Sequence, residues 1–281
     1  MLNLTVRNLK IYFRQKSAVF FSMLGVFIII GLYALFLGDV WVRSYNFPGA
    51  DILMSNWIIA GIVAVTSITT TMGAFGTMVE DRVTKNNKDL FASPVKRHKI
   101  VGGYILSAYI IGIIMSLLAF VVGEIYIVAS GGEFLSFLSL IKMLGVILIS
   151  VLASSSIVFF IVSFFYSTTA FSTASTILGT LIGFLTGIYI PIGVLPDTIQ
   201  MIIKLFPVSH AGALMRQIMM TSSFEKLAIP PNYLSELKQM TGVIYMYGNH
   251  EATPAIHILV LFGTSLIFFL LSILNVSKAY K

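Results

Sequence analysis

The stretch YIPIGVLPDTIQMIIKLFPVSHAGALMRQ, residues 189–217, decides how the rest of the chain is laid out. It sits in a sequence that is 57 % hydrophobic and 10 % charged, yet it holds Pro191, Pro196, Pro207, Asp197, Lys204, His210 and Arg216. Only ten residues separate Pro196 from Pro207. As helix that is about 15 Å at ~1.5 Å per residue, half of a ~30 Å hydrocarbon core. Asp197, Lys204 and Arg216 at mid-membrane would add roughly 2.5–3.5 kcal/mol each. Prolines 191 and 196 also withhold backbone donors where a preceding helix should end. The stretch is expected to stop, dip back as one or two short re-entrant helices, and return. Such backbone survives at membrane depth only inside protein or beside a watery cavity. A plain interfacial loop is the simpler alternative.

Outward from this stretch, continuous apolar runs of about span length identify a polytopic all-α membrane protein and disfavour a β-barrel, whose strands would alternate. The pattern predicts one transmembrane domain over 1–281, with spans at 18–37, 54–78, 100–128, 141–165, 171–190 and 255–274. Residues 191–254 form an external re-entrant region, 79–99 a charged loop and 275–281 a tail. Residues 1–17 place Leu2, Val6, Leu9 and Phe13 at helical spacing among Arg7, Lys10 and Arg14, the pattern of an amphipathic helix on a membrane surface. This N-terminus is too long and charged for a signal peptide, so it is expected to remain on the mature protein.

Charge sets the orientation. The N-terminal segment, residues 80–99 and the tail hold twelve of the eighteen Lys/Arg but three of the eleven acidic residues. The positive-inside rule then predicts that both termini and residues 80–99 are cytoplasmic, and six spans satisfy this where seven would not. The formal charge of +7 is explained by topology, without a nucleic-acid partner. There is no cysteine, so no disulfide, thiolate metal site or cysteine nucleophile. The four histidines show no metal-ligand spacing, and no metal site or catalytic group is expected.

The order of parts resembles an ABC type-2 permease, the membrane subunit of ABC exporters with the ABCG-like type V fold. Two segments carry the resemblance. In NNKDLFASPVKRHKIVGGYIL, Leu90, Ala92, Pro94, Val95 and Arg97 match the family's loop before the third span. In the opening stretch, Gly187, Pro191, Leu195, Pro196, Pro207 and Arg216 match a late signature, with Ile190 where a serine or phenylalanine is usual.

The resemblance implies that residues 1–17 are a connecting helix. It also implies that residues 80–93 are a coupling helix meeting a separate ABC ATPase, because the chain lacks a G-x-x-x-x-G-K-[ST] phosphate loop. ATP and Mg would then be held by that partner and no cofactor by this chain. The expected coupling residues are Asp81, Arg82, Lys85, Lys88, Asp89, Leu90, Phe91, Pro94 and Arg97; an ordinary solvated loop is the alternative. A second permease subunit, identical or not, would complete a dimer in the lipid bilayer of a bacterial cell membrane. The expected substrate path takes Thr66, Thr69, Thr70 and Met72 from the second span and Thr173, Thr176, Gly179 and Gly183 from the fifth. Glycines at four-residue spacing equally suit plain helix packing. Pro191, Leu195, Pro196, Pro207, His210 and Arg216 would form the external gate. The expected function is export of a drug, antimicrobial peptide or lipid-like molecule. The alternative is an ATP-independent transporter, or a sensor or scaffold on the same fold. Glu124 is expected to snorkel to the outer interface.

Overall fold

A computed structural model describes residues 1–37, 47–86, 90, 92, 95–226 and 230–279, with side chains up to 275. Among them, six helices are long and apolar enough to cross a membrane. The chain opens with α1 (Leu2–Arg14), then α2 (Lys16–Leu32), which loosens into a π-helical turn at Tyr33–Leu37. The next four long helices are α3 (Ala50–Val83), α4 (Arg97–Ala129), α5 (Phe137–Val162) and α6 (Thr168–Leu185). Four short helices follow: α7 (Asp197–Leu205), α8 (Pro207–Met219), α9 (Thr221–Lys226) and α10 (Pro231–Met240). A two-stranded hairpin, β1 (Met246–Tyr247) and β2 (His250–Glu251), precedes α11 (Pro254–Ala279).

The breaks have local causes. Ser136 and Ser167 cap α5 and α6 by accepting the backbone N–H of Ser139 and Ala170. The fifth span ends earlier than hydropathy alone suggests, at Leu185. Gly187 turns left-handed there (φ 64°), while the Ile188 N–H returns to the Gly183 carbonyl. Pro207 occupies the first turn of α8, where its missing N–H costs nothing. In the other direction, α3 runs as helix past residue 78 to Val83, and α11 past 274 to Ala279.

The architecture is a bundle around α3. Trp57, Ile59, Val63 and Ala64 on α3 are fully buried, and α3 packs against α4, α5, α6 and α8. Gly123 lets α4 come so close that a Cβ there would lie 2.2 Å from Ile59. Mid-depth, Ser67 of α3 bonds Ser150 and Ser154 of α5 at 2.8 and 3.1 Å. The SSS run at 154–156 therefore contributes one interhelical bond; Ser156 returns to its own helix at the Leu152 carbonyl. In contrast, α6 buries only Ile182 and Gly183.

The helix pair α7–α8 bears out the broken-helix expectation as local structure, and the two members differ sharply. Ile203 is the one buried residue of α7, while Ile199, Met201, Ile202 and Leu205 are exposed. By contrast, α8 is buried from Val208 through Arg216 and packs on α3, α5 and α11. A helix buried on all sides belongs to the protein interior. Glu124 corrects its expectation. It is 5 % exposed and folds back to accept the Leu135 N–H at 3.4 Å instead of reaching the surface.

Candidate functional site

Three places carry the polar groups from which a mechanism can be built: the α1 end of the bundle, the cavity beside α6, and the break between α7 and α8.

At the α1 end, Thr5, Asn8 and Tyr12 form the buried face of α1, whereas Leu2, Val6 and Phe13 point away from the bundle. An amphipathic helix that turns its polar side inward leaves an apolar side for lipid. Arg7 makes a two-pronged ion pair with Asp81 near the end of α3, at 2.7 and 2.8 Å. Tyr104 of α4 donates to the same carboxylate at 2.5 Å, and Asn8 donates to Ser107 at 3.2 Å. Hydrogen bonding to Asp81 raises the Arg7 guanidinium above its ordinary pKa, despite the opposing cost of burial. One carboxylate thus ties α1, α3 and α4 together. Tyr12 extends the tie to α2 through Ser22 at 2.8 Å.

Of the expected coupling residues, Asp81 lies 3 % exposed inside this clamp. Arg82 is turned the same way. It donates to the carbonyls of Val162 and Phe165 at 3.0 and 3.1 Å, satisfying acceptors that the end of α5 leaves open, and lies 5.4 Å from the Tyr166 ring. Lys85 is exposed and left-handed (φ 64°), breaking α3. Leu90 packs against the core, and Arg97 opens α4. Lys88, Asp89, Phe91 and Pro94 lie outside the described residues.

The cavity beside α6 holds about 830 Å³ between α1, α2, α3 and α6. Thr66, Thr69, Thr176 and Gly179 line it. Met72 faces an adjoining cavity of about 380 Å³ between α3, α5 and α6, where Thr69 and Gly179 also appear. Thr70, Thr173 and Gly183 line neither. Thr70 is buried against its own helix and Thr173 is exposed, while Gly183 is covered by the Tyr189 ring. The threonine hydroxyls donate to carbonyls four residues back, as Thr66 does to Ile62 at 2.8 Å and Thr176 to Ser172 at 3.0 Å. Their oxygen lone pairs remain available to a guest.

At the α7–α8 break, Pro207 cannot continue the ladder, and the Lys204 carbonyl loses a helical partner. His210 Nε2 and the Tyr247 hydroxyl take its place at 2.8 and 3.0 Å. Because His210 Nε2 donates there, its Nδ1 accepts, and the 2.8 Å contact to His257 Nδ1 makes His257 the donor. His257 Nε2 is left buried with no partner among the described residues. Tyr245 packs edge-on against both rings and donates to the Ser209 carbonyl at 3.1 Å. Burial pulls the His210 imidazole below its ordinary pKa.

Deeper on α8, Arg216 is 0 % exposed. It donates to the Thr186 and Gly187 carbonyls at the end of α6, at 3.0 and 3.1 Å, and lies 5.2 Å from the Trp57 ring. Its Nε and Nη1 have no hydrogen-bond partner among the described residues. No carboxylate among the described residues balances it there, and burial draws its pKa down to about 10. Pro191, Leu195 and Pro196 frame the short helical turn at Ile192–Val194 that leads to α7. Sequence reasoning missed Trp57, Tyr104, Tyr245 and His257. Nothing in their spacing signals the contacts, which join residues 23 to 184 positions apart.

No three His, Asp or Glu among the described residues group in a way that could hold a metal ion. Residues 43–274 match the family described as ABC-2 family transporter protein. No curated protein matches the chain.

Proposed function

The chain belongs to the ABC-2 family of transporter proteins, and from that premise we propose that it is the permease subunit of an ATP-driven exporter. In this reading the ATPase is a separate chain that binds ATP and Mg and docks at the α1 end of the bundle. A second permease subunit stands across α3 and α6, and both termini face the cytoplasm. The observation that carries the reading is the Asp81 clamp. It lies two residues before the end of α3, in the segment expected to meet the ATPase. A displacement of that segment is therefore passed at once to α1, α3 and α4. Since α3 touches α4, α5, α6 and α8, a tilt of this one helix reaches the core of the bundle.

The weakly held α6, lined by two adjoining cavities, is the element such a tilt would move most easily. The larger cavity would be the inner half of the path. Its walls mix hydroxyls with Ile62, Val65 and Phe171, which suits an amphipathic cargo: a drug, an antimicrobial peptide or a lipid-like molecule. The outer gate would be the α7–α8 pair with Pro191, Leu195, Pro196, Pro207, His210 and Arg216. The exposed apolar side of α7 dips into lipid while α8 stays within protein. Resistance to a drug or antimicrobial peptide in a bacterial membrane would be the physiological setting.

The coupling assignment is tested by purifying the full-length chain from its own membrane and assaying a co-purifying ATPase. Lys85→Glu and Leu90→Asp are expected to release the ATPase or uncouple its activity. Lys85 is exposed, so Lys85→Glu leaves the fold intact and keeps the test informative if Leu90→Asp misfolds. ATPase binding and stimulation unchanged in both variants would sink the assignment.

A further inference from the structure

A groove of about 730 Å³ lies between α4, α5, α8 and α11, and the transport reading does not use it. Its walls are apolar, with Ile149, Leu152, Leu214 and Phe262 among them. Gly145 opens the recess, since a Cβ there would meet nothing within 4 Å. Leu144, Leu148, Leu152 and Phe262 are exposed, so this side of the bundle faces lipid. From Lys142 to Leu152 the groove follows α5 for ten residues. That is about 15 Å of helix, the depth of one leaflet of a ~30 Å core.

Apart from Tyr109, whose hydroxyl is spent on the Leu148 carbonyl at 3.3 Å, the polar groups of the groove are Ser139 and Lys142 near the start of α5 and Gln217 and Thr221 beside the neighbouring recess. Lys142 is the single charged residue of α5, is exposed, and makes no ion pair among the described residues. Ser139 sits one turn before it on the same rim. Ser136 donates to the Ser139 oxygen at 3.0 Å, which leaves the Ser139 hydroxyl proton to be given away. Ammonium and hydroxyl side by side are the donors a phosphate takes.

Past Gln217, Thr221 and Pro254, which line both, the groove adjoins an outer recess of about 350 Å³. Glu225 and Glu251 line that recess with Lys238, whose ammonium lies 5.2 Å over the Phe224 ring. The two recesses thus carry two cations and two carboxylates, a balance that matches a dipolar head group better than a net anion.

We propose that this groove binds an aminophospholipid. One acyl chain lies in the Gly145 recess, the phosphate meets Lys142 and Ser139, and the primary ammonium turns to Glu225 and Glu251. A primary ammonium can donate hydrogen bonds to those carboxylates, which a trimethylammonium cannot. The occupant is a lipid because a groove one leaflet deep, apolar along its length and dipolar at one end, has the shape of a single phospholipid.

The test is native mass spectrometry of the full-length protein, titrated in turn with phosphatidylethanolamine, phosphatidylcholine and phosphatidylglycerol of equal chain length. One phosphatidylethanolamine per chain should persist at activation energies that strip the other two. Lys142→Ala should weaken its retention roughly five- to tenfold, the scale of one lost charge-assisted contact. Gly145→Leu fills open space and should abolish retention without disturbing the fold. Glu225→Gln with Glu251→Gln should remove the preference for phosphatidylethanolamine over phosphatidylcholine. Equal retention by wild type and Gly145→Leu would overturn the site, and equal binding of phosphatidylglycerol would overturn the head-group assignment. The chain has no native cysteine, so Gly145→Cys is a unique handle. Disulfide-linked dimers formed through it would assign the groove to a second copy and overturn the proposal.

Discussion

The two ends of the bundle handle buried charge in opposite ways. At the α1 end, Arg7 and Asp81 pair in two-pronged geometry with Tyr104 as a third partner, and the Arg7 side chain keeps 36 % of its surface in contact with solvent. At the α8 end, Arg216 is fully enclosed and is held by two carbonyls and a tryptophan face, with no carboxylate among the described residues. The first arrangement can open, because water and the other partner can receive each group as it leaves. The second cannot, because two of its nitrogens already lack acceptors and the cation has nowhere to go. The α1 end is built as a joint and the α8 end as a pin.

The sharpest way to break this contrast is at the pin. Arg216→Ala would leave a cavity beside Trp57 and strip the Thr186 and Gly187 carbonyls of their donor, at a cost of about 3 kcal/mol or more. Thermal unfolding of the purified protein should show it as a large fall in Tm, and Arg216→Lys should rescue little, since an ammonium lacks the planar fork. A variant as stable as the parent would show that the pin holds nothing. The joint should yield less. Asp81→Asn keeps the shape and loses the charge, so a loss of about 1–2 kcal/mol is expected. Combined with Arg7→Met, the two losses should fall short of additive by about 1 kcal/mol; strict additivity would mean that the pair does not couple.

Acid offers a third probe, placed near the pin. His210 is buried and its folded pKa is lowered, so the neutral pair stabilises the fold fully above the ordinary histidine value of about 6.5. As pH falls below that value the unfolded chain takes up the proton first. Stability should then drop by up to about 1.4 kcal/mol per pH unit until the folded value is reached. The Lys204 carbonyl, Tyr245 and His257 contact the ring, and no carboxylate among these partners could welcome the charge. His210→Asn should flatten the Tm profile between pH 7 and 5, and an unchanged profile would discard the account. The smallest effect belongs to neither end. Ser67→Ala at mid-depth removes neutral hydrogen bonds worth about 1 kcal/mol, and a much larger loss would relocate the stability to the middle of the bundle.

How much of this was legible in the sequence follows from the range of each interaction. Span count and the broken pair at Pro196 and Pro207 depend on hydropathy and backbone sterics within a turn or two, and both stand in the fold. Helices α3 and α11 run on beyond their apolar stretches, because hydropathy drops before the helix does. Asp81 and Arg82 lower the apolar signal, yet their partners on α1, α4 and α5 hold that turn together. Glu124 was misplaced because only the fold shows the α4–α5 turn reaching back to it. The His210–His257 pair and the Arg216–Trp57 contact join residues 47 and 159 positions apart, a separation at which no local pattern exists. Placing Arg216 at a family signature position pointed to the pin without saying what it pins.

The most direct test of the exporter reading is transport in sealed inside-out vesicles that contain the chain together with its ATPase. A fluorescent amphiphile should accumulate only when ATP and Mg are present, and Asp81→Asn should reduce that accumulation while leaving the complex assembled. Accumulation that proceeds without ATP, or that follows an ion gradient instead, would contradict the account.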